Sequence, residues 1–312
     1  GGGGGIIGGG SASDGNLIYS NTDNGIQIDG TGGVTIKGNY IGTDSSWADL
    51  GNGNNGIYMN VAAGSVQIGG NMHAGESNYI GFNDRYSIAI DAGSANIYGN
   101  YIGTNQNGDD LSNAGGINLN GAGNVNVGLS IYGYGNVVGN GGMIFSKPSG
   151  TTNIRGNFIG TTYDAGTWRD LASQSYGIYV SGAGTLTIGG LSVGSAHSAS
   201  VVSRILDGNF IAFHDAASQA GIYVNDGSPT IQGNYIGTNK AGADLGNCYG
   251  IQLAAGADNV TIGGSTYGQG NVIGQSDSYG IYFLASSGTQ SIKGNFIGTT
   301  YDAGTWRDLA QQ

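Results

Sequence analysis

The phrase Gly-Asn-aromatic-Ile-Gly-Thr occurs five times along this chain, and such a recurrence predicts a repeat protein. A looser phrase, Asn followed two residues later by Ile or Val, adds five more asparagines at equivalent positions. The ten recurring asparagines are Asn16, Asn39, Asn78, Asn100, Asn136, Asn157, Asn209, Asn234, Asn271 and Asn295. Short steps such as Asn78 to Asn100 alternate with long steps such as Asn39 to Asn78.

A step of about 22 residues is the circumference of one coil of a parallel β-helix, in which three short strands are joined by tight turns. The stretch from Asn78 to Asn100 contains three runs of strand-like alternation. The long steps contain the same three runs and additional loops. The sequence therefore predicts an all-β parallel β-helix, or β-solenoid, with about ten coils of three short strands. Plain and loop-bearing coils should alternate within one continuous domain, residues 1–312.

Alternation within the runs predicts which side chains form the core. Ile41, Ile57 and Ile68 should point inward, whereas Tyr40 and Tyr58 should point outward. The interior is then a column of stacked aliphatic side chains.

The recurring asparagine marks one corner of each coil. Its amide carries both a donor and an acceptor, so identical residues stacked about 4.8 Å apart can bond to one another along the solenoid. We expect the ten asparagines to form such a ladder. The alternative is that Gly-Asn only supplies a tight turn. Both interpretations are structural.

Composition limits the classes of function. Only 9 % of the residues are charged, the net charge is −11, and the nine Lys and Arg are widely spread, which argues against nucleic acid as a partner. Cys248 is the single cysteine, which excludes an internal disulfide framework and a cysteine-based zinc site. No apolar run is long enough to insert into a membrane.

The order of phrases carries a resemblance. The cycle from Gly-Asn-Tyr-Ile-Gly-Thr through Asp-Leu-Gly-Asn, Asn-Gly-Ile-Tyr and Val-Gln-Ile-Gly-Gly to Asn-Tyr-Ile-Gly occupies residues 38–81 and recurs along nearly the whole chain. It resembles the right-handed parallel β-helix repeats of large secreted bacterial and archaeal surface polypeptides. The resemblance implies a right-handed solenoid and an extracellular or cell-surface location. It does not select a function, because this architecture serves adhesins, phage tail proteins and carbohydrate-active enzymes.

Five loops end in Asp-Leu, at Asp49, Asp110, Asp170, Asp244 and Asp308. We expect each leucine to pack onto its coil and each aspartate to bond to nearby backbone amides. Stacked carboxylates that bind Ca²⁺ are the alternative, although the nonapeptide calcium repeat is absent. The prediction is that the chain has no cofactor.

The longest step contains the densest group of titratable residues: His197, Arg204 and Asp207, followed by His214 and Asp215. This group is the sequence's candidate for a ligand or acid-base site. An insertion in a solenoid loop can equally be neutral decoration. No pair of carboxylates with a neighbouring cation is evident, so no catalytic residue is assigned.

Outward aromatic residues form two predicted columns. The first contains Tyr40, Tyr79, Tyr101, Phe158, Phe210, Tyr235 and Phe296, and the second contains Tyr58, Tyr179, Tyr223 and Tyr282. Exposed rings could hold sugar faces or another solenoid, whereas rings covered by loops would only stabilise the register.

The segment 156–172 recurs without change as the segment 294–310. We therefore expect the chain to be part of a longer solenoid or to polymerise head to tail into one, because uncapped coils expose core and strand edges. The function predicted from sequence is an extracellular fibre, sheath or stalk with copies of itself as partners, end to end and laterally, and glycan adhesion as a secondary activity. The alternatives are a polysaccharide lyase, hydrolase or epimerase, and a tail-spike-like polysaccharide binder.

Overall fold

A computed structural model provides the structure of the chain. It describes residues 4–11, 13–30, 32–146, 148–164, 167–171, 176–182, 184–191, 208–239, 241–302 and 305–309. These residues form 31 strands, numbered β1 to β31 in chain order, and one short 3-10 helix, Met72–Ala74.

The parallel strands fall on three faces. Face 1 contains β3 (Ile26–Ile28), the first part of β6 (Ile57–Gly69), the first part of β8 (Tyr86–Tyr98), β10 (Gly115–Asn120), β13 (Met143–Ser146), β18 (Ile178–Ser181), β21 (Ala220–Gly227), β24 (Asn247–Ala257) and β27 (Ser276–Phe283). Face 2 contains β1 (Gly5–Gly8), β4 (Val34–Lys37), the second parts of β6 and β8, β11 (Val125–Val127), β14 (Thr151–Ile154), β19 (Thr185–Gly189), β22 (Thr230–Gln232), β25 (Thr261–Gly263) and β28 (Ser291–Lys293).

Face 3 is built from two-residue strands. They are β2 (Leu17–Ile18), β5 (Tyr40–Ile41), β7 (Tyr79–Ile80), β9 (Tyr101–Ile102), β12 (Val137–Val138), β15 (Phe158–Ile159), β20 (Phe210–Ile211), β23 (Tyr235–Ile236), β26 (Val272–Ile273) and β29 (Phe296–Ile297). Two antiparallel hairpins complete the set: β16 (Thr161–Asp164) with β17 (Thr167–Asp170), and β30 (Thr299–Asp302) with β31 (Thr305–Asp308).

On the three faces, each strand pairs in parallel with the equivalent strand of the next repeat, and this arrangement fits a β-solenoid. The predicted all-β class and the parallel pairing are confirmed. The strands of faces 1 and 2 are not always separate, however, because β6 and β8 continue around the corner between the two faces. Their pairing persists there, with Asn60 opposite Ala92 and Ser65 opposite Ser94, and the register shifts on either side of Asn60. The two strands are thus paired on both sides of this corner.

The core is the predicted column of aliphatic side chains. Ile41, Ile57 and Ile68 are fully buried, while Tyr40 and Tyr58 face outward and are only partly buried. The inward positions continue as stacks of Ile, Val, Leu and Met in one cluster. Burial of one such side chain contributes about 1.5–3 kcal/mol to folding.

The asparagine ladder predicted from sequence is present from Asn16 to Asn295. In every rung, the side-chain Nδ2 of one asparagine donates to Oδ1 of the next, at 2.9–3.0 Å. The backbone N–H of the same asparagine donates to that oxygen as well. The other Nδ2 hydrogen reaches a face 2 carbonyl of the preceding repeat, for example Ile97 O from Asn136 at 2.8 Å. The ladder therefore satisfies the buried amides and joins each repeat to its neighbours.

The Asp-Leu loops close in the same way on every repeat that carries one. The leucine N–H donates to the carbonyl of the glycine in Gly-Thr, as from Leu111 to Gly103 at 3.1 Å and from Leu171 to Gly160 at 2.9 Å. Leu111, Leu245 and Leu309 are buried. The carboxylates of Asp49 and Asp244 accept hydrogen bonds from backbone amides, as the sequence analysis predicts.

Replacing Asn136 by alanine should reveal the contribution of a buried rung. Because the change leaves neighbouring amide groups without partners, we expect it to lower the free energy of unfolding by about 2–3 kcal/mol in chemical denaturation. Asn126→Ala is the matched control, since Asn126 bonds to Asn96 and Asn153 in an outward, half-buried row and should cost less than about 1 kcal/mol. Equal losses would contradict the special role of the inward ladder.

Candidate binding surfaces

The titratable cluster predicted from sequence is only partly described. His197, Arg204 and Asp207 lie outside the described residues. His214 and Asp215 are described, and their environments differ: His214 is 1 % exposed, whereas Asp215 is exposed. Neighbours in sequence are thus separated into core and surface.

His214 lies in a second ladder that the sequence analysis does not predict. This ladder follows the corner between face 3 and face 1, where Asn21, Asn52, Asn83 and Asn113 bond through Nδ2 and Oδ1 at 2.7–3.0 Å. Further along the same corner, the backbone N–H of His214 donates to Oδ1 of Asn247 at 3.0 Å. Since the N–H of Asn83 donates in the same way to Oδ1 of Asn113, the histidine occupies an asparagine position.

A backbone feature accompanies the second ladder. At Asn21, Asn83 and His214, the residue before the ladder position adopts a positive φ: these residues are Ser20, Phe82 and Phe213. A non-glycine residue rarely adopts this conformation, which turns the chain sharply into the corner. The sequence signal that could have revealed the ladder is the nearly equal spacing of its first four asparagines.

Two glycines, which have no side chain, leave the space that the His214 imidazole ring occupies. A Cβ atom at Gly160 would lie 2.6 Å from Nε2, and one at Gly177 would lie 2.7 Å from it. The histidine carbonyl accepts a hydrogen bond from the Cys248 N–H at 2.8 Å. These contacts assign His214 a packing role inside the solenoid and do not expose it to a solution ligand.

The substitution His214→Asn tests this assignment. Because the second ladder takes asparagine elsewhere, we expect the free energy of unfolding to stay within about 1 kcal/mol of the parent protein. His214→Ala removes the buried ring and leaves a cavity, which should cost about 2–3 kcal/mol. Chemical denaturation of the two variants compares them directly. If His214→Asn were as damaging as His214→Ala, the ladder assignment would be wrong.

The first aromatic column is largely covered by its own loops. Tyr40 and Tyr79 stack with ring centroids 5.2 Å apart, and Trp47 packs on both rings at 5.7 and 5.0 Å. On a later pair of repeats, Trp168 of hairpin β16–β17 covers Phe158 and Phe210. Burial raises the pKa of Tyr79 well above its ordinary value. Where these loops are described, they cover the rings of the column, so the stacked rings serve to stabilise the register of the strands.

The second column gives rise to a more open surface. We define the tyrosine cluster as Tyr176, Tyr179, Tyr223, Tyr249, Tyr279 and Tyr282, on and beside face 1. Its ring contacts form two groups, Tyr176 with Tyr179 and Tyr223, and Tyr249 with Tyr279 and Tyr282, with contacting centroids 4.6–5.8 Å apart. In the face 1 register, Gln252 lies between Tyr223 and Tyr282. Tyr279 is 54 % exposed, and the other five are half-buried. Tyr58 is not part of the cluster, because its register neighbours on the following strands are Ala89, Asn118 and Ile144.

The chemistry of the tyrosine cluster is neutral. Burial raises the pKa of Tyr176 and of Tyr223, so these phenols stay protonated at physiological pH. The surface offers flat ring faces and hydroxyl groups, which suits stacking and hydrogen bonding with an uncharged partner.

A small cleft brings together two of the recurring aspartates. Asp110 and Asp170 line a cavity of about 150 Å³ with Thr104, Asn140 and Leu171. The described residues that line it include no His, Lys or Arg, but the Arg169 side chain lies against Gly108 in its wall, where a Cβ atom would be 2.9 Å from Arg169 Cδ. Asp110 accepts a hydrogen bond from Ser112.

The remaining candidate sites give little support to other chemistry. Within the described ranges, no three His, Cys, Asp or Glu side chains cluster closely enough to hold a metal ion. No helix in the same part of the chain has the length and apolar character needed to span a membrane. Comparisons with protein-family models, curated proteins and solved structures found no match to the chain.

Proposed function

We propose that this chain is a structural protein of the extracellular space or cell surface. In this proposal, right-handed β-solenoid units of about ten coils stack head to tail and build a fibre, sheath or stalk. The observation that carries the proposal is the polarity of the asparagine ladder, which makes one end of the described solenoid chemically complementary to the other.

The ladder runs in one direction. Each asparagine donates to Oδ1 of the next one along the chain, so Asn16 has the acceptor position at one end and Asn295 has the donor position at the other. An Asn295 amide placed under Asn16 of a second copy would repeat the hydrogen bonding seen in the interior. Contacts between unlike ends that do not close into a ring produce filaments.

Core side chains at the two ends support the same arrangement. On face 3, the inward isoleucines of interior strands such as Ile273 are fully buried, whereas Ile297 of β29 is 45 % exposed. At the opposite end, Ile18 of β2 is only half-buried. Stacking β29 against β2, and β28 against β1, would cover these side chains and pair four strand edges.

Face 1 differs from the other two faces. Over the described residues it has nine strands, whereas faces 2 and 3 have ten each. On faces 2 and 3, the strands at the two ends of stacked copies would pair directly.

Electron microscopy of the purified chain at physiological salt tests the proposal. We expect filaments with an axial repeat of roughly 50 Å, since about ten coils each rise about 4.8 Å. Ile297→Lys should abolish the filaments by placing a charge at the junction. Ile131→Lys is the matched control, because Ile131 is 53 % exposed on a loop away from both ends and its replacement should leave the filaments intact. Discrete particles of the parent protein would overturn the stacking model.

Glycan adhesion is a second candidate, favoured by the open tyrosine cluster. Neutral stacked rings near Tyr279 provide the kind of surface that pyranose faces contact. In a panel of soluble neutral polysaccharides, we expect the double replacement Tyr279→Ala and Tyr282→Ala to weaken any binding by about tenfold, or about 1.4 kcal/mol. Tyr267→Ala is the control, as Tyr267 is a loop tyrosine that is 73 % exposed. Binding that is unchanged in the double variant would remove the tyrosine cluster from consideration.

A polysaccharide lyase, hydrolase or epimerase is the less favoured alternative. It depends on loops whose titratable residues His197, Arg204 and Asp207 are not described, and on the cleft of Asp110 and Asp170. The described lining of the cleft has two carboxylates but no His, Lys or Arg, and His214 is buried in the second ladder. A structural role requires none of these groups.

A further inference from the structure

Face 2 presents the same kind of side chain outward on nine neighbouring strands. Its central outward position is Thr, Ser, Asn or Gln on every strand from β4 to β28, and all nine side chains are half-buried. In register order, this inner row contains Thr35, Gln67, Asn96, Asn126, Asn153, Thr187, Thr230, Thr261 and Ser291.

A second row lies two residues before the inner row on eight of these repeats. Because side chains alternate along a strand, both rows point away from the core. Register pairs in the second row include Ser65 with Ser94 and Thr151 with Thr185. This outer row contains Ser65, Ser94, Asn124, Thr151, Thr185, Ser228, Asn259 and Thr289, all exposed except the half-buried Ser94. The two rows together are called the polar array.

Strand pairing gives the polar array a regular geometry. Neighbouring strands lie about 4.8 Å apart, and residues two apart along a strand lie about 6.6 Å apart. The inner row therefore extends roughly 38 Å along the solenoid over its eight strand spacings. Hydroxyl and amide groups recur at fixed intervals in two directions across this face.

Several side chains of the array are held in one orientation. The side-chain amide of Asn126 donates to Asn96 at 2.9 Å, and that of Asn153 donates to Asn126 at 3.1 Å. In the outer row, the backbone N–H of Thr151 donates to Oδ1 of Asn124 at 2.9 Å. The threonines are restricted in χ1 because their Cβ is branched. Groups that are already ordered lose little conformational entropy when they bind.

Bonding within the rows accounts for only part of the array. Among the described residues, the side-chain hydroxyls of Thr187, Thr230 and Thr261 form no hydrogen bond with the protein. These three hydroxyls lie on adjacent strands in matched register. They do not stabilise the register by bonding to one another, and they face outward, where a ligand can reach them.

The composition of the array limits the kind of ligand. Neither row contains Asp, Glu, Lys or Arg, although the chain has a net charge of −11. The face 2 cations Lys37, Arg155 and Lys293 lie outside both rows, at the next outward position beside face 3. Neither row contains an aromatic ring of the kind that stacks on a sugar face. The array therefore suits an uncharged ligand that presents hydrogen-bonding groups at regular intervals.

We propose that the polar array is an ice-binding surface whose ligand is the face of a growing ice crystal. Ice is an uncharged solid of donors and acceptors, and the spacing of oxygen atoms along one axis of hexagonal ice is close to the strand spacing of the solenoid. Each hydrogen bond to water contributes little by itself, so binding requires many groups in a fixed, repeating arrangement. Face 1 lacks this repetition, because its outward column changes from Tyr58 to Ala89 and Asn118. The inference goes beyond the proposed function and does not depend on contact between copies.

Incorporation of the full chain into slowly grown ice tests the proposal. A dilute solution is partly frozen, and the protein in the ice is compared with the protein in the remaining liquid. We expect the parent protein to enter the ice, from which solutes that do not bind are excluded. Thr187→Tyr places a large ring in the middle of the inner row and should reduce incorporation about tenfold.

The matched control is Ile144→Tyr, because Ile144 is a half-buried outward residue of face 1 and its replacement should leave incorporation unchanged. Tyrosine is well accepted in strands, and far-UV circular dichroism checks that each variant is folded. Thr261→Tyr repeats the test on another strand, so a folding defect of one variant does not decide the result.

The outcomes are distinct from those of the proposed function. Exclusion of the folded parent protein from ice would overturn the inference, as would equal incorporation of the face 2 and face 1 variants. Light scattering covers another occupant, because a dimer that Thr187→Tyr dissociates would mean that a second copy covers the array, contrary to the proposal. Filaments that are excluded from ice would retain the fibre alone, whereas discrete particles that enter ice would retain the ice-binding surface alone.

Discussion

The asparagine ladder is the interaction on which the rest of the solenoid depends. A buried carboxamide has donors and an acceptor, and leaving any of them without a partner costs about 1–3 kcal/mol. At this corner the partners come from the neighbouring repeats, because Asn136 accepts from Asn100, donates to Asn157 and donates to the carbonyl of Ile97. Each interior repeat therefore satisfies its buried asparagine amide only through contact with the repeats on both sides of it. The corner fixes the register of the strands, and the aliphatic stacks follow from that register.

The loops are less constrained than the framework of paired strands and asparagine ladders. A shorter loop, such as 43–50, and a longer one, such as 161–171, begin and end with the same contacts. Thr43 and Thr161 donate through Oγ1 to a carbonyl two positions before the closing leucine, at 2.9 and 3.0 Å. Because closure occurs at the base, the length and sequence beyond it can change while the strand pairing is preserved.

The sequence predicts the repeat, the inward column and the first ladder, since identical residues at equivalent corners leave a visible spacing. It does not reveal the second ladder as readily, because that ladder changes from Asn113 to His214 and Asn247 along the chain. Proximity in sequence groups His214 with Asp207 as one candidate site. His214 is instead a corner residue of the framework, a distinction that depends on three-dimensional register. The covering of Tyr40 by Trp47 is likewise a contact between a strand and a loop that no periodicity encodes.

The proposed function rests on the polarity of the asparagine ladder. A ladder in which every rung donates in one direction has unlike ends. The net charge of −11 opposes contact between identical copies, so contact between the ends must overcome this repulsion, which salt reduces. The faces of the solenoid are closed by pairing with adjacent repeats, and their aromatic rows are partly covered by loops. The strand edges at the ends cannot be satisfied from within the described solenoid. Association along the axis is therefore the interaction that we propose for this architecture.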